Sequence, residues 1–343
     1  MFRALLYSFS LTLALISGCA GSSSRPVAWQ DETVDLVWPE LPDQPRVRYL
    51  RSLSGPEDFK EKNRTSGMLG WLLGEQQEDL PLLSPFAVAV SRSNSVWVAD
   101  NGARMLYRLD LKRRKVDYFQ EFSGLRLESP SGVAVDDVRQ RIFLADAGHK
   151  RIFVLDLDGK YLDSWGPEGG FVRPAGMAVD SVGRLLVADA LGGVVYVFNV
   201  DGAVVSQIKS KVNPDGRFSR PLNVAVGPDG EILILDALSF RIEVQNAQGD
   251  LLGTIGEIGD APGYLARPKG LAVDPDGHVF VSDSAFDNVQ AFDMAGKLLM
   301  FWGSAGEQAG RFNLPGGLFI DHEKRLFVAD SYNHRVQVFQ LLP

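Results

Sequence analysis

The sequence predicts an all-β chain, a β-propeller of six four-stranded antiparallel blades in which an N-terminal strand closes the last blade. Three observations predict it. A proline opens an apolar segment at Pro85, Pro130, Pro174, Pro221, Pro268 and Pro315, at spacings of 45, 44, 47, 47 and 47 residues. An apolar run ends in aspartate at Asp100, Asp146, Asp189, Asp236, Asp283 and Asp330, at spacings of 46, 43, 47, 47 and 47. Two independent markers keeping one period six times are the mark of a repeat architecture. Finally, the runs before those aspartates, such as Ile232-Leu233-Ile234-Leu235, are apolar at nearly every position, and a strand apolar on both faces is covered on both.

Each unit divides into four strands. In the fifth, Gly270 to Asp274 is the first strand, Pro275-Asp276-Gly277 a turn, Val279 to Asp283 the second, Val289 to Phe292 the third and Lys297 to Trp302 the fourth. Pro, Asp and Gly set the turn because proline fixes φ and glycine takes positive φ. Short antiparallel strands at this period are propeller blades rather than a helical solenoid, since every unit is strand-like and rich in Gly and Pro. The sixth unit runs out at Pro343 after Val336 to Phe339, one strand short. Arg46 to Leu53 is a strand with no unit of its own, so it is expected to fill the outer place of the sixth blade, with Tyr49 beside Val336 to Phe339.

Composition sets further limits. The 343 residues are 45% hydrophobic and 23% charged, enough to bury a core and too ordered for a disordered chain. A net charge of −8 argues against a nucleic-acid partner, because neutralising a phosphate backbone takes surplus Lys and Arg. A single cysteine excludes a disulfide framework and a Cys-rich zinc site.

Arg3, the apolar run Ala4 to Ile16 and the small pair Ser17-Gly18 form an export signal, and the run is too short to span a bilayer, which takes about 20 residues. Cys19 directly after Ser17-Gly18 resembles the bacterial lipoprotein signal. The resemblance implies that residues 1–18 are removed, that Cys19 is lipidated, and, with Ala at 20, that the protein is an exported lipoprotein of the outer membrane, at its periplasmic face or the cell surface, rather than of the inner membrane. Gly21 to Ser24 and then Pro39, Pro42 and Pro45 read as a tether over 19–45, whose 26 residues after Cys19 would reach roughly 85 Å when extended. The propeller then spans 46–343, with an insertion at 55–84.

Ala329-Asp330-Ser331-Tyr332-Asn333-His334-Arg335-Val336-Gln337-Val338-Phe339 resembles the signature of the NHL repeat, and Gly310 to Gly317 resembles its lead-in. Other copies are degenerate: His149, Lys150 and Arg151 follow Asp146, Arg241 stands in the fourth, and Val194 and Asn288 replace the arginine in the third and fifth. The resemblance implies the fold and leaves function open, because binding modules, lyases and lactonases share this scaffold.

Four groups of residues are candidates for function. Asp100, Asp146, Asp189, Asp236, Asp283 and Asp330, with Arg151, Arg241 and Arg335, read first as turn caps and cross-hairpin ion pairs; alternatively, the six carboxylates ring the channel mouth. Arg173, Arg220 and Arg267 precede the proline in three consecutive units, with Lys269 close by; converging guanidinium groups suit a carboxylate or phosphate. Asn223, at the start of a first strand, has the chemistry of an axial ligand. Met68, Leu69, Trp71 and Leu72 in the insertion suit either a seal over the channel or a contact with a partner.

No catalytic set can be assigned. His278 and His322 belong on the opposite face from His149 and His334. No cofactor is expected, although a Ca or Zn ion at the channel mouth stays compatible with the residues. The expectation is therefore a lipid-anchored envelope protein that uses its propeller as a non-enzymatic scaffold for a protein, peptide or glycan partner, held to the membrane through its lipid and binding no nucleic acid. The alternative is a metal-dependent hydrolase or lyase, lactonase-like or peptidylglycine-lyase-like, acting at the channel mouth.

Overall fold

The computed structural model describes residues 27–59 and 80–343. Cys19 and the candidate contacts Met68, Leu69, Trp71 and Leu72 lie outside the described residues.

Six antiparallel blades follow in chain order. Their innermost strands are Pro85–Val90, Pro130–Asp136, Pro174–Val179, Pro221–Val226, Pro268–Val273 and Pro315–Ile320, so each marker proline opens an inner strand. In blade 5 the remaining strands are Val279–Asp283, Asn288–Phe292 and Leu298–Trp302, within two residues of the sequence boundaries. Blades 1 to 5 have four strands each. The second strands of all six are buried except at one end of blade 2, as their two-sided apolar runs require.

Blade 6 is completed from the other end of the chain. Val47–Leu53 pairs antiparallel with Arg335–Leu341, placing Tyr49 opposite Phe339. The expected closure is therefore present. A fifth strand, Val37–Trp38, adds outside it.

That strand corrects the tether. From Val27 onward the segment is packed: Val27 is buried and donates its N–H to Leu111 O at 2.9 Å. Trp29 meets Phe327 edge-on at 5.7 Å, with the Arg325 guanidinium 3.9 Å above its ring. The prolines suggested a free chain, but Trp29, Leu36 and Trp38 carry enough apolar surface to dock against blade 6.

The core is six apolar clusters, one between each pair of neighbouring blades. At the axis the inner strands crowd, and a Cβ on Gly132 would lie 2.2 Å from Ala175 O. Among the described residues no helix is long and apolar enough to cross a membrane.

The topology gives the disc two unlike faces. The loops entering each inner strand and the turns between second and third strands share one face, here the long-loop face. The turns between first and second and between third and fourth strands form the short-turn face.

Candidate site on the long-loop face

The six repeat aspartates build this face. Each is 0–1% exposed, which an aspartate sustains only when its oxygens are hydrogen-bonded. Asp189 accepts from the backbone N–H of Val172, Arg173 and Gly192. Asp236 accepts from Ser219 N, Arg220 N and the Ser239 hydroxyl, and Asp283 from Ala266 N, Arg267 N and Ala285 N. The carboxylates are turned into their own blades, so they clamp loops and do not form a cation ring.

The expected aspartate–arginine pair exists in one of its three places. In blade 6, Leu314 N donates to Asp287 instead, which leaves Asp330 Oδ2 free for Arg335 Nε at 2.8 Å. Asp146 is filled by four backbone N–H groups and Asp236 by the donors above. Neither has a place for its arginine. The Nε atoms of Arg151 and Arg241 are accordingly buried without a hydrogen-bond partner among the described residues, and Arg241 reaches Asn213 Oδ1 through Nη2 at 2.6 Å.

The clamps also place the candidate arginines. The backbones of Arg173, Arg220 and Arg267 are each held by an aspartate at 2.7–3.1 Å, so consecutive blades 3, 4 and 5 present them at equivalent positions. Blades 1, 2 and 6 have Ser84, Ser129 and Leu314 there. Among the described residues no ion pair or side-chain hydrogen bond neutralises Arg173, Arg220, Arg267 or Lys269, and Arg220 Nε is buried and unpartnered. Lys269 registers the imbalance: burial, reinforced by the charge of Arg267, draws its ammonium below the usual lysine range, against a weaker opposing pull from Asp287 and Asp283. A recess of about 460 Å³ opens on the same face, lined by Leu191, Asn213, Arg217 and Ser219 among others.

The channel itself encloses a cavity of about 300 Å³ walled by the inner strands of all six blades. Its lining is apolar apart from Asn223. The Asn223 Oδ1 accepts the N–H of Val224 at 2.9 Å, and a Cβ on Gly176 would lie 2.4 Å from that oxygen. Asn223 thus fits against a glycine of the next blade, with no carboxylate beside it in the lining.

The histidines divide as expected. On the long-loop face His149 lies near Glu128, and His334 Nδ1 bonds Leu83 O. On the short-turn face His278 bonds Asp274 and His322 lies near Glu323. Among the described residues the group with metal-ligand spacing is Asp274, Asp276 and His278. Sequence reading passed over it, although the alternate spacing along one turn was visible.

This geometry defines a six-bladed β-propeller carrying NHL repeats. The NHL repeat family matches at residues 265–288 and 312–339, in blades 5 and 6. No curated protein matches the chain in sequence. Among solved structures the chain is similar to virginiamycin B lyase from Staphylococcus aureus, with 14% identity over 76% of this chain and 96% of that one at TM-score 0.53. It is similar to a gluconolactonase from Xanthomonas campestris, with 18% identity over 77% and 90% at TM-score 0.55. An auxiliary nutrient binding protein from Bacteroides thetaiotaomicron shares 12% identity over 75% and 69% at TM-score 0.58. At these identities the likeness is one of fold.

Proposed function

We propose that the protein is a non-enzymatic binding scaffold, anchored in the cell envelope through a lipid on Cys19, that holds an anionic protein, peptide or glycan on its long-loop face. The carrying observation is the arc of Arg173, Arg220, Arg267 and Lys269, four cations that form no ion pair among the described residues in a chain of net charge −8. Backbones fixed by buried aspartates pre-position the guanidinium groups, which lowers the ordering cost of binding a carboxylate or phosphate.

The packed segment gives the anchor a short reach. Val27 is pinned at Leu111, on the short-turn face, and the eight residues that follow Cys19 up to Val27 extend no more than ~28 Å. The short-turn face would then lie toward the membrane and the arginine arc away from it, open to an envelope partner.

Replacing Arg220 and Arg267 together with alanine is expected to weaken binding of a polyanionic probe such as polyglutamate by at least ~10-fold with the fold intact. Unchanged affinity would remove the reading. The second reading is a hydrolase or lyase at the channel mouth; the lyase and lactonase neighbours share the fold alone. Stoichiometric calcium or zinc in the purified protein would favour it over the scaffold.

A further inference from the structure

A second cavity, of about 580 Å³, opens between blades 5 and 6 on the short-turn side, remote from the channel and the arginine arc. Its volume lies in the range of small-ligand pockets, roughly 300–1,000 Å³. Phe280, Met300, Leu299 and Leu341 give it apolar walls, and residues 39–47 fold over one side.

The polar groups at its edge are partly spent on one another. Asp274 is buried and holds His278 Nδ1 at 2.8 Å while accepting the N–H groups of Asp276 and His278. Asp276 is bound to Lys324 Nζ at 2.5 Å. What remains among the side chains is one charge of each sign. Asp43 and Arg46 both line the cavity, both are exposed, and neither forms an ion pair among the described residues.

We propose that this cavity binds a zwitterion with an apolar body, of the size and chemistry of a hydrophobic amino acid. Its carboxylate meets Arg46, its ammonium meets Asp43, and its side chain covers the apolar wall beside His278. An anion alone would leave Asp43 unmet, an amine alone would leave Arg46 unmet, and a purely apolar ligand would use neither. The inference is independent of the arginine arc.

The test uses full-length protein labelled at histidine, which has only four such residues. Titration with L-phenylalanine is expected to shift the His278 ring resonances saturably, and Leu299→Trp, an outward position that is 46% exposed, is expected to abolish the shift without altering thermal unfolding. 2-Phenylethylamine and 3-phenylpropionate should each bind about tenfold more weakly. Arg46→Gln should weaken phenylalanine by about the same factor and leave phenylethylamine unaffected, and Asp43→Asn should weaken phenylalanine while sparing phenylpropionate. The proposal is overturned if millimolar phenylalanine leaves His278 unmoved, if either half-ligand binds as tightly as phenylalanine, or if both charge variants bind like the parent.

Discussion

Blades 4 and 6 carry the same aspartate at the same place and use it differently. In blade 4, Asp236 spends its oxygens on the entering loop and a turn hydroxyl, and Arg241, the counterpart of Arg335, turns to Asn213 instead. In blade 6 one loop N–H goes elsewhere, and Asp330 takes up Arg335, Asn333 and Gln337 instead. The repeat therefore offers one buried carboxylate per blade, and the donors that reach it decide whether a third-strand arginine can join it. The ring's closing blade admits its arginine, and blades 2 and 4 shut theirs out.

The sharpest way to break this contrast is at the closure. Leu53 is 0% exposed in the strand that completes blade 6, so Leu53→Asp buries an unpaired charge and should cost about 4 kcal/mol or more in urea unfolding. Asp330→Ala strands the 12%-exposed Arg335 side chain and should cost about 3 kcal/mol, with part recovered in Asp330→Ala/Arg335→Leu. Asp236→Ala leaves two backbone donors and a hydroxyl unmet and should cost about 2 kcal/mol. Unlike the blade 6 change, it should also weaken anion binding, because the backbone of Arg220 is released. Equal losses of binding from both aspartate changes would erase the distinction.

The smallest effect is one of pH. A lysine held below its usual range sheds its proton earlier as pH rises, so anion binding should weaken before the ordinary lysine pKa of about 10.4 is reached. Lys269→Arg should flatten that limb, measured by polyglutamate affinity against pH, because arginine stays charged.

Strand positions were legible because proline and aspartate mark every blade and because a two-sided apolar run has one structural meaning. The closing strand was legible by counting, since Arg46 to Leu53 lacked a unit and the last unit lacked a strand. The site was legible in part. Arg173, Arg220 and Arg267 stood out by position, whereas the failed pairing of Arg151 and Arg241 turns on backbone N–H groups that sequence does not display. Trp38 was hidden among prolines that looked like a spacer. The second cavity was invisible because Asp43 and His278 are remote in the chain and meet only when the ring shuts.

The latch between Val47–Leu53 and Arg335–Leu341 has a consequence for biogenesis. Val47–Leu53 is made early yet is among the last strands to find its place, since its partner Arg335–Leu341 belongs to the sixth blade. Until that moment blade 6 shows an unpaired edge, and such edges recruit strands from other molecules. Contacts this remote in sequence also slow folding. Newly made chains must therefore be kept apart, by chaperone or dilution, for the interval between synthesis of Arg335–Leu341 and the snap of the ring.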